Sequence, residues 1–319
     1  PPCQAFSTAG KQKGFADFRG NVMLQYLRVV RDIMPEFFIM ENVRGLQSAK
    51  LNSVPAEYAE YEPIKDVKGS AFHFMVAEFR KLGYSISHAL LNAANYGVPE
   101  KRERIVVIGH RGERVPIPSP THSENGEFGT KKWNTLRCCI GDMEHRTDLH
   151  YTELRKRSLP YMKILKEGQN WHNLPEDMAM QAMGKAYFLS VGKTGFLRRL
   201  KFDEPSPTLV TSPTMPATLL CHPTQLRLLS IEEYARIQQF PDSWTFNGRL
   251  ETIYKQIGNA VPVGLGQAVG QQIMRFINGQ TSANEEARNK IPYSRYKNTT
   301  YRDFAIMFGQ RTYNLTKTL

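Results

Sequence analysis

Three groups of residues in this chain combine side chains and spacing that suit chemistry. Cys3 follows two prolines, and a cysteine in a partly exposed, electropositive setting can act as a thiolate nucleophile. Glu41 follows the apolar run 37–40, so we expect it at the carboxyl end of a strand, where open α/β sheets bind ligands. Arg102 and Arg104 are two apart at the entry to another strand, so both can point to one side and bind a phosphate or a carbonyl group.

Each of these groups also has an ordinary structural interpretation. Cysteines are usually buried as small apolar residues. Glu41 and Asn42 suit a turn or a surface ion pair, and an arginine-rich strand entry suits a solvated edge. The four cysteines are irregularly spaced and form no C-x-x-C pair, so neither a metal site nor a disulfide framework is predicted.

Residues 185–201 form a basic segment. They include five Lys or Arg, among them Lys193, Arg198 and Arg199, with no acidic residue and with three aromatic residues between them. Cations interleaved with aromatic rings suit contacts to phosphates and bases, although a charged loop facing water has the same composition. Lys193 follows a glycine as in a phosphate-binding loop, but Tyr187 stands where that motif needs its first glycine, which excludes an NTPase site.

The elements that must position these residues follow from hydrophobic periodicity and end signals. Apolar runs and apolar residues at helical spacing alternate through the first 112 residues, which is typical of a parallel α/β sheet. The predicted helices are 21–34, 71–82, 230–240 and 262–277, and the predicted strands are 37–40, 84–92 and 104–109. Ser230 begins a capping-box sequence.

Composition bounds the class of protein. The 319 residues carry 42 Lys+Arg against 30 Asp+Glu, with 41% hydrophobic and 23% charged residues, which excludes disordered and fibrous chains. The net charge of +12 favours a polyanionic partner. We find no membrane-spanning run and no signal peptide, so a cytoplasmic location is expected. The domains predicted are 1–112 and 226–279 for one α/β domain, 113–225 for a mixed module, and 280–319 for a basic tail.

Five blocks of sequence resemble the C5-cytosine DNA methyltransferase family, and they occur in the order of that family. The similarity begins with the Pro-Pro-Cys-Gln-Ala-Phe-Ser sequence at the start of the chain and covers about 1–112 and 205–278. The blocks are 1–7, 40–43, 92–104, 235–242 and 256–262. The resemblance implies an incomplete Rossmann-like methyltransferase sheet with helices on both faces, plus a smaller target-recognition domain at 113–225.

The resemblance also implies roles for the candidate catalytic residues. Cys3 resembles the nucleophile that adds to C6 of a cytosine flipped out of double-stranded DNA. Glu41 is similar to the family's acid on the exocyclic amine and N3 of that base, and Asn42 to a residue that orients the adjacent loop. Arg104 resembles the arginine that binds the cytosine carbonyl, with Arg102 supporting the same site.

Further positions match those that bind S-adenosylmethionine and DNA in the family. The cofactor positions are Pro2, Val22, Phe240, Asn259 and Ala260. The DNA positions are Gln4 and Ser7, which match the loop that closes over DNA in the family, and Thr208, which matches a threonine that contacts the DNA backbone. Lys193, Arg198 and Arg199 belong to the basic segment and are predicted to contact DNA from the recognition module. No metal is implied.

The sequence departs from the family pattern at three places. Glu100 occupies a position that is usually glutamine, and a carboxylate there would repel DNA phosphate. Glu232 stands where relatives often carry arginine. The glycine-rich first block that holds the cofactor is absent, so we expect the chain to be a cropped piece or one subunit of a split enzyme, with a separate chain or segment supplying that block and little methylation by this chain alone.

Two alternatives remain open from the sequence. A non-catalytic DNA-binding subunit would keep the module at 113–225 but would gain nothing from Cys3, Glu41 and Arg104. A cysteine hydrolase would need a histidine partner, and no histidine lies in a matching motif. The leading interpretation is therefore a C5-cytosine DNA methyltransferase acting in a restriction–modification system.

Overall fold

The computed structural model describes residues 21–188 and 195–281. Cys3, its neighbours up to residue 20, and Lys193 lie outside these ranges. The described residues fall into two compact units, which are treated separately below. The first comprises 21–92, 103–120 and 268–281, and the second comprises 93–102, 121–188 and 195–267.

The secondary structure consists of short strands and helices of moderate length, and the first unit holds the larger sheet. The strands are β1 Phe37–Val43, β2 Ser85–Asn92, β3 Glu100–Lys101, β4 Glu103–His110, β5 His122–Ser123, β6 Lys131–Lys132 and β7 Ser206–Pro207. The helices are α1 Asn21–Ile33, α2 Ser70–Lys81, α3 Leu136–Ile140, α4 Leu159–Ile164, α5 Glu176–Met183, α6 Ile231–Ile237, α7 Leu250–Asn259 and α8 Val263–Ile277.

The sheet of the first unit has the order β1-β4-β2, and β4 is antiparallel to both neighbours. The prediction of a parallel sheet is therefore wrong for these pairings. A parallel pair needs a crossover of about a dozen residues or more, whereas the connection 93–102 turns back at once and is closed by a bond from the Ala93 N–H to the Arg102 carbonyl at 2.9 Å. β1 and β2, which follow one another through α2, run in the same direction on either side of β4.

Alternation along β1 decides which side chains enter the core. Phe38, Met40 and Asn42 are buried, whereas Ile39 and Glu41 are not. The buried face packs against α1 and α2, for example through the Phe38 and Phe79 rings at 4.5 Å. Because side chains alternate between the faces of a strand, Glu41 lies on the face away from this core.

Contacts from helices hold both sides of β1. On α1, the Tyr26 hydroxyl donates to the Ile39 carbonyl at 2.8 Å. On the opposite face, the Phe37 ring lies 6.2 Å from that of Phe276 in α8 and stacks on His110 at 4.3 Å. Helices therefore contact both faces of the sheet, as predicted.

The second unit contains two apolar clusters and the predicted capping box. The Ser230 hydroxyl accepts from the Glu233 N–H, and the Glu233 carboxylate accepts from the Ser230 N–H, which fixes the start of α6. Arg227 adds two bonds of 2.7 Å to the same carboxylate. α7, which is not predicted above, packs on α6 through the Tyr254 and Tyr234 rings at 4.8 Å.

The described residues were searched for membrane-spanning helices and for metal sites. No helix in the described ranges is both long and apolar enough to cross a membrane. Among the same residues, no group of three or more His, Cys, Asp or Glu side chains is arranged to hold a metal ion.

Candidate active site

The structure brings Glu41 and Arg104 together in the first unit. In the register of β1 and β4, Val43 lies opposite Arg104 and Glu41 opposite Val106, so Glu41 and Arg104 are diagonal neighbours on one face. Long side chains can meet across such a diagonal. The Arg104 Nε lies 2.9 Å from the Glu41 Oε1, and the two side chains are 13% and 26% exposed. An acid and a guanidinium thus share one accessible site near the end of β1.

The surroundings of this pair fix the arginine more firmly than the acid. The Arg104 Nη1 donates to the Glu103 carbonyl at 2.8 Å. The Glu103 carboxylate in turn lies 3.8 Å from the Arg44 Nε. Arg44 and Glu103 thus form a second, longer ion pair at this end of the sheet. The Glu41–Arg104 pair can bind a polar heterocycle through its carbonyl, ring nitrogen and amine.

Asn42 is placed next to the site in sequence but on the other face of β1. It is 1% exposed, and its Oδ1 accepts from the Val43 N–H at 2.9 Å. Its Nδ2 points to the Met23 Sδ in α1 at 3.8 Å. These contacts join the end of β1 to α1, so Asn42 positions the strand from the core side.

Arg102 belongs to the second unit, in which it is 1% exposed. Its guanidinium donates to the carbonyls of Leu209 at 2.9 Å, Gly258 at 2.7 Å and Ala260 at 3.2 Å. These contacts connect three chain segments and differ from the side-by-side arrangement with Arg104 that the spacing predicts. A break between β3 and β4 at residue 102 is the physical reason, because alternation of side chains holds only within one continuous strand.

Glu100 is the counter-charge of Arg102. It is fully buried, its Oε1 accepts from the Leu209 N–H at 2.6 Å, and the same oxygen lies 3.3 Å from the Arg102 Nη1. The carboxylate is thus directed into the second unit, and the expected repulsion of DNA phosphate does not apply. Glu232, the other departure from the family pattern, pairs at 2.7 Å with His150 near the surface.

The predicted cofactor positions are distributed between the two units. Val22 is half-buried in α1 of the first unit, and Pro2 lies outside the described residues. In the second unit, Asn259 is exposed at the end of α7, and the Phe240 ring is half-buried 5.1 Å from that of Phe246. The exposed amide of Asn259 can hydrogen-bond the hydroxyl groups of S-adenosylmethionine. The partly accessible ring of Phe240 can pack against its apolar stem.

The sequence as a whole decides the family. The model of the C-5 cytosine-specific DNA methylase family matches residues 1–275. The chain belongs to this family. It is 38% identical over 277 residues to the Type II methyltransferase M.Sau96I of Staphylococcus aureus, covering 87% of this chain and 59% of that protein. It is 39% identical over 283 residues to M.PspPI of Psychrobacter sp. strain TA137, covering 87% and 63%.

This C-5 cytosine-specific DNA methylase chain therefore spans about three fifths of the length of the curated relatives it matches. A crystal structure from E. coli, of a prophage-encoded protein assigned as a DNA modification methyltransferase, superposes with a TM-score of 0.51 at 19% identity, covering 83% of this chain and 77% of that one. This likeness shows a methyltransferase fold. The relatives named here do not favour a non-catalytic DNA-binding subunit, nor do they support a separate chain carrying further segments.

The predicted DNA contacts of the methylase chain differ in how accessible they are. Arg199 is 5% exposed and donates to four backbone carbonyls at 2.7–3.1 Å, so its geometry opposes a contact to phosphate. Arg198 is half-buried, with its Nε 3.3 Å from the Leu219 carbonyl. The Thr208 hydroxyl donates to the Lys101 carbonyl at 2.8 Å. Gln4, Ser7 and Lys193 lie outside the described residues.

Two features of the site are not predicted above, although the sequence carries a signal for one of them. The buried pair of Glu100 and Arg102 has no distinguishing pattern, because two charges at this spacing also suit a solvated strand. α7 does have one, since Ile253, Tyr254 and Ile257 are buried and are spaced as on one face of a helix.

Proposed function

We propose that this chain takes part in the transfer of a methyl group from S-adenosylmethionine to C5 of a cytosine in double-stranded DNA. The observation that carries the proposal is the Glu41–Arg104 pair at 2.9 Å, formed by the two residues that the family resemblance assigns to the cytosine ring. The relatives named as Type II methyltransferases support a role in DNA modification linked to restriction.

In the proposed reaction, the Cys3 thiolate adds to C6 of a flipped cytosine, because the ring carbon is unreachable within the stacked duplex. Glu41 donates a proton to N3 and accepts from the exocyclic amine, and Arg104 donates to the O2 carbonyl, so that the charge formed by addition is neutralised. S-adenosylmethionine, when bound, supplies the methyl group. The C5 proton then leaves to a base, and the C6–S bond breaks to release Cys3 and the product.

The pair seen in the structure is compatible with exchange for a substrate. The two side chains are 13% and 26% exposed, so replacing one partner by a substrate group costs less than in a fully buried pair. A cytosine that offers a carbonyl oxygen to Arg104 and an amine to Glu41 replaces the pair at small cost. The site thus holds two recognition groups in position before the base arrives.

We assign the cofactor and DNA contacts in the same proposal. Val22 in the first unit and Phe240, Asn259 and Ala260 in the second are each proposed as cofactor positions. The exposed amide of Asn259 and the half-buried ring of Phe240 support the assignment in the second unit. The module 113–225 is proposed to read the DNA target.

The test is covalent trapping with a mechanism-based analogue. The 319-residue chain, supplied with a segment that carries the family's glycine-rich first block, is incubated with S-adenosylmethionine and with random-sequence duplexes in which every cytosine is 5-fluorocytosine, because fluorine at C5 blocks the final proton loss. Mass spectrometry should find an adduct at Cys3 that carries one methyl group. The adduct should be lost in Cys3→Ser and reduced in Glu41→Gln.

Cys138 provides the matched control, since it is an exposed free thiol of the same chain. The Cys138→Ser variant should form the adduct at the rate of the unmodified chain. Absence of any adduct, or an adduct that depends on Cys138, would refute the proposed function.

A further inference from the structure

The second unit contains a cavity of about 490 Å³ that none of the roles above uses. The polar side chains and aromatic rings that line it include Arg155, Arg157, Tyr161, Gln181, Phe196 and Thr214. We call it the arginine cavity. Its volume lies within the range of small-molecule sites, and the residues that line it in the described chain include no Asp or Glu.

The floor of the arginine cavity is apolar and buried, and its mouth is polar. Met183, Leu197 and Leu228 line it and belong to the buried cluster around Trp171. At the mouth, Arg155, Arg157 and Gln181 are exposed. A packed floor with a few polar groups at the mouth is the arrangement that binds one polar ligand in one orientation.

The two arginines at the mouth differ from most arginines of the same unit. Arg137 and Arg146 are held by Asp203 at 2.8 Å and Asp148 at 2.6 Å. No carboxylate of the described residues forms an ion pair with Arg155 or Arg157. Two guanidinium groups without an internal counter-charge raise the local positive potential and favour an anion with oxygens for their forked donors, as a phosphate has.

We propose that the arginine cavity holds one nucleotide of a DNA strand, with Arg155 and Arg157 on its phosphate and Gln181 on the edge of its base. This inference rests on the proposed function and assigns DNA contacts to residues outside the basic segment 185–201. The side-chain amide of Gln181 can donate and accept at once, as recognition of a base edge requires. The rings of Tyr161 and Phe196 offer the base an apolar surface.

The proposal separates two kinds of contact that salt distinguishes. Each phosphate contact changes the slope of log K against log salt by about 0.9, whereas a contact to a base edge changes sequence preference and leaves the slope alone. Binding of the 319-residue chain to random-sequence 30-bp duplexes is measured between about 50 and 200 mM salt. The double variant Arg155→Ala/Arg157→Ala should reduce the slope by about 0.9, because both arginines contact the same phosphate.

The control carries the same change in net charge. Arg137→Ala/Arg146→Ala also removes two positive charges from exposed positions of this unit, but each of these arginines is already neutralised by an aspartate. Its slope should fall by less than half as much. Equal slopes for the two double variants would overturn the cavity as a phosphate site, because net charge alone would then explain the effect.

Base recognition and the class of ligand are tested separately. Gln181→Ala should keep the salt slope but change the sequences enriched from a random duplex pool, and unchanged sequences would overturn the base contact. Stronger retention of duplex RNA than of DNA, or no binding of duplexes at all, would overturn the proposal. An adduct at Cys3 together with unaltered DNA binding by the Arg155→Ala/Arg157→Ala variant would retain the proposed function and reject the cavity.

Discussion

Replacing Arg102 by methionine removes a buried cation and leaves its partner in place. In the protein, the Arg102 guanidinium donates to three backbone carbonyls and lies 3.3 Å from the carboxylate of Glu100. Methionine fills a similar volume without donors. The Glu100 carboxylate then keeps the Leu209 N–H at 2.6 Å but loses its counter-charge. Removing one member of a buried pair costs about 3–5 kcal/mol for this reason.

The loss of stability in Arg102→Met should be confined to the segments that Arg102 binds. A second variant should separate the part of this loss that comes from the unpaired charge of Glu100. The segments released are those around Leu209, Gly258 and Ala260, whose carbonyls Arg102 binds. The double variant Glu100→Gln/Arg102→Met no longer buries an unpaired charge, so it should recover about 1–3 kcal/mol of the loss. The control Arg137→Met breaks an exposed pair of the same unit and should cost about 1 kcal/mol or less.

Hydrogen exchange followed by mass spectrometry measures these effects peptide by peptide. A loss of about 3–5 kcal/mol corresponds to exchange about 10² to 10³·⁵ times faster in peptides covering 206–211 and 256–262. Because Ala260 is a proposed cofactor position, the KM for S-adenosylmethionine should rise more than kcat falls. Exchange within fivefold of the unmodified chain in both peptides would refute the role given to Arg102.

Three further outcomes follow from single residues. Glu41→Gln should lower methyl incorporation about 100-fold and the free energy of unfolding by less than about 1 kcal/mol, and full activity would contradict its role. Gly258→Ala should cost about 1–3 kcal/mol in urea unfolding, because a Cβ would lie 2.6 Å from the Val210 carbonyl oxygen, whereas nothing lies within 4 Å of a Cβ at Gly266. Burial lowers the pKa of His222 to about 3, whereas its value in the unfolded chain is about 6.5. Between these two pH values only the unfolded chain binds this proton, so the free energy of unfolding falls as the pH is lowered. His222→Gln should flatten that pH dependence, and an unchanged slope would contradict the assignment.

Elements with strong hydrophobic periodicity were predictable from the sequence. α1, α2, β2 and β4 lie within two residues of the predicted bounds, because their apolar residues recur at the period of one element and a proline or glycine follows some of them. The capping box at Ser230 is confirmed, since both of its bonds are local in sequence. β1 continues to Val43, so Glu41 lies within the strand rather than after it.

Pairing between elements was less predictable, because it depends on residues far apart in the chain. The alternation of helices and strands favours a parallel sheet, yet β4 is inserted antiparallel between β1 and β2. The short connection 93–102 determines the antiparallel pairing. The order of helices and strands alone does not take the length of this connection into account. Similarly, the burial of Arg199 depends on carbonyls more than twenty residues away in both directions, which no local pattern contains.

Arg102 and Arg104 differ in the free energy needed to exchange their partners, and this difference decides which of them can bind a substrate base. A residue that binds a substrate base must exchange its partner at a cost that the substrate can offset. Arg104 is 13% exposed and shares a partly exposed carboxylate, so exchange costs less than in a fully buried pair. Arg102 is 1% exposed and would leave a buried carboxylate behind, at about 3–5 kcal/mol. Only Arg104 can therefore change partners during a catalytic cycle, and Arg102 can contribute only by holding Gly258 and Ala260 in place.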